Sequence, residues 1–277
     1  MERVIECEIN CIHPDVAHQT EPVTINAVHV DELVESGKLV RSRQKIYPTE
    51  CGTTLDKEGY EVVDIPRDKI HLLCALDSYI QSCGFDDMAL KITDCIQSRM
   101  ENWMERHFKN CRVVCVDAVY RDTDPDHNST FKQIPLAHID FNKNNFDETM
   151  ECFKDKWKRH FDRRGYEYSS KDLRTMVNVW MPIGDFKTFP LAVHDMTDEL
   201  ESGCYRGVRR DETSFMARSM VHLDNDEGWR YCPEMPLGRA YIFESMRTVH
   251  TAIDTGRCDG RYRRSCECRC FIYDSKS

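Results

Sequence analysis

The sequence of 277 residues lacks any apolar run of about 18 residues, and this argues against a membrane-spanning helix. It also lacks an excess of positive charge, because 48 acidic residues outnumber 38 lysines and arginines and the formal net charge is -10. Proteins that coat nucleic acid or anionic membranes need a basic surface. We therefore expect neither nucleic acid nor membrane as a partner. Internal repeats and low-complexity tracts are also missing from the sequence.

The N-terminus and the cysteines point to an unexported protein. Residues 1–14 carry several charges and no uninterrupted apolar core, unlike a secretory signal. The 15 cysteines are odd in number and do not follow the spacing of a small disulfide scaffold. We expect reduced thiols and a cytoplasmic location. For the alternating Cys266, Cys268 and Cys270, burial as small hydrophobic side chains is the simpler interpretation and a thiolate metal site the alternative.

The order of predicted elements indicates one α+β domain over residues 1–277. Residues 1–110 combine short strands with a helical buttress, in which apolar side chains recur on one face up to Phe108. From residue 111 to 274 β-rich segments dominate, interrupted by a polar helical segment at 146–164. Such an order predicts a barrel or sandwich buttressed by helices. The predicted strands of this part are 113–119, 134–141, 175–182, 191–194, 215–223, 240–243 and 266–273.

A His-x-Asp pair, His138 and Asp140, lies in one predicted strand, and His250 follows 110 residues after the aspartate. Residues i and i+2 of a strand point to the same face, so the pair can place an imidazole beside a carboxylate. A second imidazole from a neighbouring strand would complete a set that binds Fe(II) and leaves positions open for a cosubstrate and O2. The pattern predicts a non-haem iron site, with ordinary buried side chains as the alternative.

A second His-x-Asp pair, His222 and Asp224, competes for this interpretation. Only 26 residues separate Asp224 from His250, which is room for about one hairpin. A double-stranded β-helix needs several strands between the pair and the distal histidine, and Asp224 also begins a polar run typical of a turn. We therefore expect His222 to be structural or to lie on the substrate side.

The segment 261–265 is basic and follows His250 closely. Arg263 and Ser265 share a strand face, so both can bind one carboxylate, for which Arg offers two charge-assisted hydrogen bonds. The distal carboxylate of 2-oxoglutarate would be that ligand. Arg264 would point to the opposite face and is the weaker candidate. A solvated basic surface is the alternative for the whole segment.

With these residues assembled, the chain resembles the Fe(II)/2-oxoglutarate-dependent oxygenase superfamily. Within it, the chain is similar to the branch of fungal gibberellin desaturase-like proteins, hydroxylase/desaturase proteins and the cephamycin methoxylation component. The resemblance extends from about Ile25 to Asp274, and its pieces follow the order of the family. These pieces are residues 57–63, 113–121, 137–140, 178–183, 190–193, Trp229–Tyr231, His250–Ala252 and 263–269.

The resemblance implies a distorted double-stranded β-helix, of the jelly-roll or cupin-like type. It implies Fe(II) held by His138, Asp140 and His250, with 2-oxoglutarate held partly by Arg263 and Ser265, and O2 as co-reactant. It further implies C–H abstraction from a small specialised metabolite, with hydroxylation, desaturation or oxidative cyclisation as the outcome.

Other candidate site residues follow from strand faces and residue types. Asn178 and Trp180 share a face that we place near the cosubstrate or the substrate, with core packing as the alternative. Met181 departs from the family, whose members often carry Arg there, so polar contacts at that position cannot be carried over. A mouth lined by arginines and aromatics would suit a carboxylated amino-acid derivative such as a kainoid precursor. Its candidates, each with an ordinary surface or core role as alternative, are Arg121, Arg247, Trp229 and Tyr231.

Two other functions compete with the oxygenase. A barrel-fold protein that binds a small molecule without catalysis is one, although it would have no need to retain three metal ligands. A demethylase of the same fold is the other. The negative net charge and the lack of a basic patch interleaved with aromatics argue against a nucleic-acid demethylase.

Overall fold

A computed structural model describes residues 4–13, 15, 23–25, 30–49, 52–126, 131–141, 143, 146–184, 188–194, 205–210, 216–220, 227–233, 235–256 and 262–275. None of the helices in these ranges combines the length and apolarity that a membrane crossing requires. The strands are β1 (Ile5–Ile12), β2 (Val23–Ile25), β3 (Leu39–Pro48), β4 (Tyr60–Asp64), β5 (Cys111–Asp122), β6 (His138–Ile139), β7 (Leu173–Ile183), β8 (Leu191–His194), β9 (Tyr205–Arg210), β10 (Met216–Met220), β11 (Trp229–Tyr231), β12 (Arg239–Glu244), β13 (His250–Ala252) and β14 (Arg264–Asp274). The helices are α1 (Val30–Glu35), α2 (Leu55–Glu58), α3 (Arg67–Cys83), α4 (Asp87–Phe108), α5 (Phe146–Cys152) and α6 (Lys154–Arg164).

The strands form two sheets, so the prediction of a mixed α and β fold is confirmed. The larger sheet has the order β1-β3-β11-β8-β13-β6-β10-β9-β2, and the smaller has the order β4-β12-β7-β14-β5. Every pair of neighbours in the smaller sheet is antiparallel. In the larger sheet, β11 with β3 and β2 with β9 are parallel. β14 lies between β5 and β7 and pairs with each along all or nearly all of its length.

Helices α3 and α4 cover the outer face of the smaller sheet. Asp86 caps α4, since its carboxylate accepts hydrogen bonds from the backbone N–H groups of Met88 and Ala89. The apolar face of α4, including Met100, packs on alternate residues of β14 in one core cluster. Those residues are Cys266, Cys268 and Cys270, which are buried, free thiols in this core, as their simpler interpretation predicted.

The inner face of the smaller sheet packs towards the larger sheet. One cluster joins Trp180, Tyr241 and Phe243 of the smaller sheet to Leu191 and Val193 of β8. A second, aromatic cluster joins β14 to α6, in which the rings of Trp157 and Phe271 are 5.4 Å apart. Trp180 and Leu191 of the first cluster also line the candidate site.

The expected strand over 134–141 is wrong in length, because only His138 and Ile139 form β6. Pro135 has no N–H group to donate to a neighbouring strand, and its carbonyl accepts instead from the side chain of Asn10 at 2.5 Å. The expected helical segment 146–164 is present as two helices, α5 and α6. Strand 191–194 has the expected bounds, whereas β5, β7, β12 and β14 extend beyond theirs. Only Met216–Met220 of the expected strand 215–223 is described.

Candidate metal centre

Three buried side chains converge between the two sheets: His138 of β6, Asp140 directly after β6, and His250 of β13. β6 and β13 are antiparallel neighbours, and His138 and His250 face each other in the register. One donor atom from each of the three residues lies within 4.8 Å of the other two. Each residue is at most 4% exposed. Among the described residues, no other group of three or more such side chains reaches this density.

A contact with the backbone carbonyl two residues earlier in the chain orients each imidazole. Nδ1 of His138 is 2.6 Å from the carbonyl of Leu136, and Nδ1 of His250 is 3.2 Å from the carbonyl of Thr248. A carbonyl oxygen only accepts, so each Nδ1 must carry the proton. The lone pair of each neutral imidazole is then on Nε2. Nε2 of His138 lies 3.6 Å from the Asp140 carboxylate and Nε2 of His250 lies 4.0 Å from it.

The carboxylate of Asp140 is held by donors from the smaller sheet. Its Oδ2 accepts a 2.6 Å hydrogen bond from Nδ2 of Asn178 and contacts Nε and Nη2 of Arg269, both at 3.3 Å. Oδ1 of Asn178 in turn accepts from the Ser245 hydroxyl at 2.6 Å. Because an ionised carboxylate only accepts, the amide NH2 group of Asn178 must face Asp140, and the Ser245 hydroxyl donates to the remaining amide oxygen.

Arg269 stands among three carboxylates. Besides Asp140, its guanidinium contacts Asp117 at 3.2 Å and Glu267 at 2.8 Å. Burial alone would lower the pKa of Arg269, but these three carboxylates raise it above its usual value. The Arg269 side chain is therefore a permanent cation next to the three converging residues.

A small cavity opens beside the three residues. Its wall combines metal-binding donors, guanidinium groups and apolar side chains, which is the composition expected of a site for a small polar ligand. The lining residues are Arg121, Ile134, His138, Asp140, Trp180, Leu191, His250, Ala252, Arg263, Glu267 and Arg269.

Arg263 projects into this cavity and is only 2% exposed. Its guanidinium donates to the carbonyl of Phe189 and lies over the ring of Trp180, with 5.6 Å between Cζ and the ring centroid. Burial and then the nearby charge of Arg121 lower the pKa of Arg263 to about 9, although the Glu267 carboxylate opposes them.

Arg263 and Ser265 each have a buried polar atom without a hydrogen bond to a described residue. Nε of Arg263 and Oγ of Ser265 have no partner among the described residues. Buried polar groups in native proteins nearly always have a partner, in the protein or in a ligand. The unsatisfied donors are therefore suited to an acidic ligand in the cavity.

The structure brings two of the candidate substrate residues to the cavity. Arg121 lines it and donates to the carbonyl of Lys132 at 2.9 Å. Burial lowers the pKa of Arg121, while Glu267 counteracts this shift. Trp180 lines the same cavity. Asn178, by contrast, contacts Asp140 rather than lining the cavity.

The other candidates lie away from the lining residues. Trp229 is buried against His194, with ring centroids 5.1 Å apart, and Tyr231 packs in the same core cluster. Arg247 is half-buried in the turn before β13, and its guanidinium donates to the carbonyl of Asp56 at 3.5 Å. Contact of these three with substrate stays a prediction. His222, Asp224 and Arg261 lie outside the described residues.

The sequence interpretation missed Glu267 and Arg269, although a signal for both was present. They continue the alternation that begins with Arg263 and Ser265, so Ser265, Glu267 and Arg269 share one face of β14, which Arg263 directly precedes. Arg264 belongs to the opposite face, where it pairs with Asp77 of α3 at 3.1 Å. Charged residues at every second position of a long buried strand indicate a polar site on that face.

Comparison with solved structures defines the class of fold. The structure is similar to that of the iron and alpha-ketoglutarate-dependent endoperoxidase NvfI. A tryptophan-to-phenylalanine variant of NvfI gives a TM-score of 0.74 at 15% identity, and the similarity covers 100% of this chain and 99% of that chain. NvfI in a different conformation gives a TM-score of 0.72 at 15% identity with the same coverage, and a third NvfI structure gives 0.63 at 14%, covering 99% of both chains. The chain therefore has the fold of this endoperoxidase.

The family follows from the sequence itself. The family model described as "YDMC: Oxidoreductase/YMDC permease-like domain" matches residues 44–273, and the chain belongs to this family. No curated protein matches the chain in sequence.

Proposed function

We propose that the protein is an Fe(II)- and 2-oxoglutarate-dependent oxygenase that oxidises a small molecule. The observation that carries the proposal is the convergence of His138, Asp140 and His250 beside a cavity walled by the buried Arg263. Two neutral imidazoles and one carboxylate form the ligand set of non-haem iron oxygenases, which leaves coordination positions open. The NvfI-like fold is consistent with this class of enzyme.

The donor set alone would also suit zinc, which binds two histidines and a carboxylate in hydrolases. The cavity wall favours the iron enzyme. Arg263 and Ser265, two residues apart in the chain, each have an unsatisfied buried atom, and a carboxylate could accept from both. A zinc hydrolase does not need this second acidic ligand, whereas 2-oxoglutarate has a distal carboxylate to place there.

The keto acid would then extend from Arg263 and Ser265 towards the three metal ligands. When bound, the iron couples oxidative decarboxylation of 2-oxoglutarate by O2, to succinate and carbon dioxide, to the oxidation of a substrate C–H bond. The chain's own contribution is to hold these groups and keep water away from them. Ile134, Leu191 and Ala252 give the cavity an apolar lining that serves this purpose.

The finer features belong to the same proposal. The two sheets would form a distorted double-stranded β-helix within one domain, and Arg121 and Trp180 would contact the substrate or the cosubstrate. A carboxylated amino-acid derivative is our candidate substrate, with hydroxylation, desaturation or cyclisation as the outcome. The endoperoxidase reaction in the name of NvfI is a reaction of that protein and does not choose among these outcomes.

An anaerobic spectroscopic titration tests the proposal. Fe(II) and 2-oxoglutarate added to the wild-type protein should produce a weak metal-to-ligand charge-transfer band in the visible. His138→Ala and His250→Ala should abolish it, while His71→Ala, which removes an exposed histidine of α3, should keep it. A band that persists in His250→Ala would contradict the ligand assignment. Release of succinate on addition of O2 distinguishes the enzyme from a protein that only binds.

A further inference from the structure

We infer that a cleft between α4 and α6 binds a phosphate group, either free in solution or attached to a small molecule. The cleft is separate from the candidate metal centre, because none of its lining residues lines the cavity at His138. Its volume of about 440 Å³ is in the range of small-molecule sites. The inference rests on side chains of these two helices and does not depend on the proposed oxygenase activity.

Positive charge is concentrated at this cleft, although the whole chain has a formal net charge of -10. Helix α6 carries six lysines and arginines against two aspartates among its 11 residues. Arg159 and Arg163 of α6 and Arg99 of α4 line the cleft, and Asp94 is the acidic residue among those that line it. Three cations and one carboxylate give the wall a net positive charge, which favours an anionic ligand.

The guanidinium of Arg159 is only partly used by the protein. Its Nε donates to Nε2 of His160 at 3.1 Å, and no carboxylate of the described residues pairs with it. Arg99 and Arg163, by contrast, each pair with a carboxylate of the protein, at 3.4 Å and 2.7 Å. The two Nη groups of Arg159 therefore keep N–H donors for a ligand, in the planar arrangement that binds phosphate oxygens well.

The buried His160 contributes a second kind of donor. It lines the cleft and is 3% exposed. Burial, and then the charges of Arg159 and Arg163, lower the pKa of His160 to about 4, so its ring is neutral at pH 7. Because a guanidinium only donates, Nε2 accepts from Arg159 and the proton is on Nδ1. No described residue accepts a hydrogen bond from Nδ1, so this N–H can donate to a ligand.

Ser98 of α4 contributes a third donor. Its hydroxyl oxygen accepts a hydrogen bond from Nη1 of Arg163, and no described residue accepts the hydroxyl proton. The donors of Ser98, Arg159 and His160 therefore come from two helices and from three kinds of group. A phosphate monoester offers three acceptor oxygens and more than one negative charge, whereas a carboxylate offers two oxygens and one charge. The donor set therefore suits a phosphate group better than a carboxylate.

Isothermal titration of the full chain with inorganic phosphate, at low salt and without other multivalent anions, tests the inference. We expect the wild-type protein to bind one phosphate at this cleft. In Arg159→Gln the affinity should fall about 10-fold, because charge-assisted hydrogen bonds are lost. Ser98→Ala should also weaken binding and serves if Arg159→Gln does not fold. Lys158→Gln should match the wild type, because Lys158 lies on the same helix but pairs with Asp162 at 2.6 Å and does not line the cleft.

A second titration, with glycerol 3-phosphate, distinguishes the two sources of the phosphate group. If this ester binds more tightly than inorganic phosphate and Arg159→Gln weakens the binding of both, the ligand is a phosphorylated small molecule. If inorganic phosphate binds at least as tightly, free phosphate is the ligand.

Three results would overturn the inference. The first is a wild-type protein that binds neither phosphate compound. The second is an equal loss of affinity in Lys158→Gln and Arg159→Gln, since α6 would then attract anions only through its overall charge. The third is loss of binding in Arg263→Met with unchanged binding in Arg159→Gln, which would place the phosphate in the cavity at the metal centre. None of these results changes the outcome expected for the charge-transfer band, so the proposed function is tested separately.

Discussion

Replacing Arg263 by Met should have opposite effects on stability and on cosubstrate binding. The guanidinium is 2% exposed, and burial together with the charge of Arg121 lowers its pKa to about 9. Because Arg is charged at pH 7 in both the unfolded and the folded chain, the full cost of burying the charge is present there. This cost decreases only when the pH rises above about 9. The ligand-free protein therefore carries a buried charge that is only partly compensated.

The magnitudes can be estimated from these contacts. Replacing a buried ion pair by apolar side chains of similar volume stabilises a protein by up to about 1–4 kcal/mol, and we apply this range to Arg263, whose guanidinium has no carboxylate in hydrogen-bond contact among the described residues. The lost hydrogen bond from Arg263 to the Phe189 carbonyl reduces this gain by about 1 kcal/mol. For the binding of 2-oxoglutarate, two hydrogen bonds from Arg263 to its carboxylate would contribute about 1.5–3 kcal/mol each. Their loss weakens 2-oxoglutarate binding by about 100-fold or more.

Thermal unfolding with and without 2-oxoglutarate measures both effects in one experiment. Without the keto acid, Arg263→Met should melt a few degrees above the wild type, since each kcal/mol moves the melting temperature by about 2–4 °C at this size. Saturating Fe(II) and 2-oxoglutarate should raise the melting temperature of the wild type but not that of Arg263→Met. Arg264→Met, which loses a partly exposed ion pair with Asp77, should retain the wild-type response to the keto acid.

The reasoning is refuted by either of two results. If Arg263→Met is less stable than the wild type without ligand, the guanidinium is better compensated than its contacts indicate. If Arg263→Met is stabilised by 2-oxoglutarate as strongly as the wild type, Arg263 does not bind the cosubstrate.

Three further predictions concern the scaffold. A Cβ added in Gly228→Ala would overlap the buried imidazole of His194, so we expect a loss of about 1–3 kcal/mol in urea unfolding; an unchanged midpoint would contradict this. Burial raises the pKa of Glu101 to about 7, so the free energy of unfolding should fall as the pH rises from the ordinary carboxyl pKa towards 7. Glu101→Gln should remove this decrease in the free energy of unfolding and stabilise the protein at pH 8 by at most about 3 kcal/mol. If the decrease persists in Glu101→Gln, another titrating group causes it. Met100→Ala should lower the free energy of unfolding in urea by about 2–5 kcal/mol, because the side chain is fully buried between α4 and the smaller sheet. The charge-transfer band should remain in this variant. A much smaller loss of stability would mean that the core closes over the space left by the missing side chain.

Local patterns in the sequence were sufficient for much of the fold. Alternating and β-branched segments located β5, β7, β8, β12 and β14 to within a few residues, because each is long or bounded by turn residues. The structure of the segment around His138 was harder to predict from the sequence. Its apolar residues suggested one long strand, but Pro135 cannot donate to a sheet, and only two residues pair regularly. The strand order of the two sheets depends on contacts between distant segments and has no local signal.

The convergence of His138, Asp140 and His250 could also be predicted, although for a reason that is only partly right. Asp140 lies after the end of β6, so it is not a regular strand neighbour of His138. Its position depends on Asn178 and Arg269, which come from the other sheet. Contacts between sheets of this kind cannot be derived from spacing along one strand.

The short strand β11 shows a different difficulty. Trp229 and Tyr231 share one face of β11, and the sequence does not determine whether that face points to the cavity or to the core. The structure places both side chains in the core cluster of the larger sheet. Residue type alone does not separate the two roles, because aromatic side chains suit a buried core as well as a binding site, and substrate contact of Trp229 and Tyr231 stays a prediction.

Strand β14 shows how a ligand position can be inferred from incomplete compensation of charge. Cys266, Cys268 and Cys270 occupy the face towards the helices, so the polar side chains of the other face must find partners between the sheets. Arg269 finds three carboxylates there, and its polar atoms are satisfied by the protein. Arg263, at the other end of that face, contacts a carbonyl and an aromatic ring among the described residues and retains a buried donor without a partner. Because a buried donor is costly to leave unsatisfied, the difference between these two arginines supports the proposal that an acidic ligand binds at Arg263, whereas Arg269 binds the protein's own carboxylates.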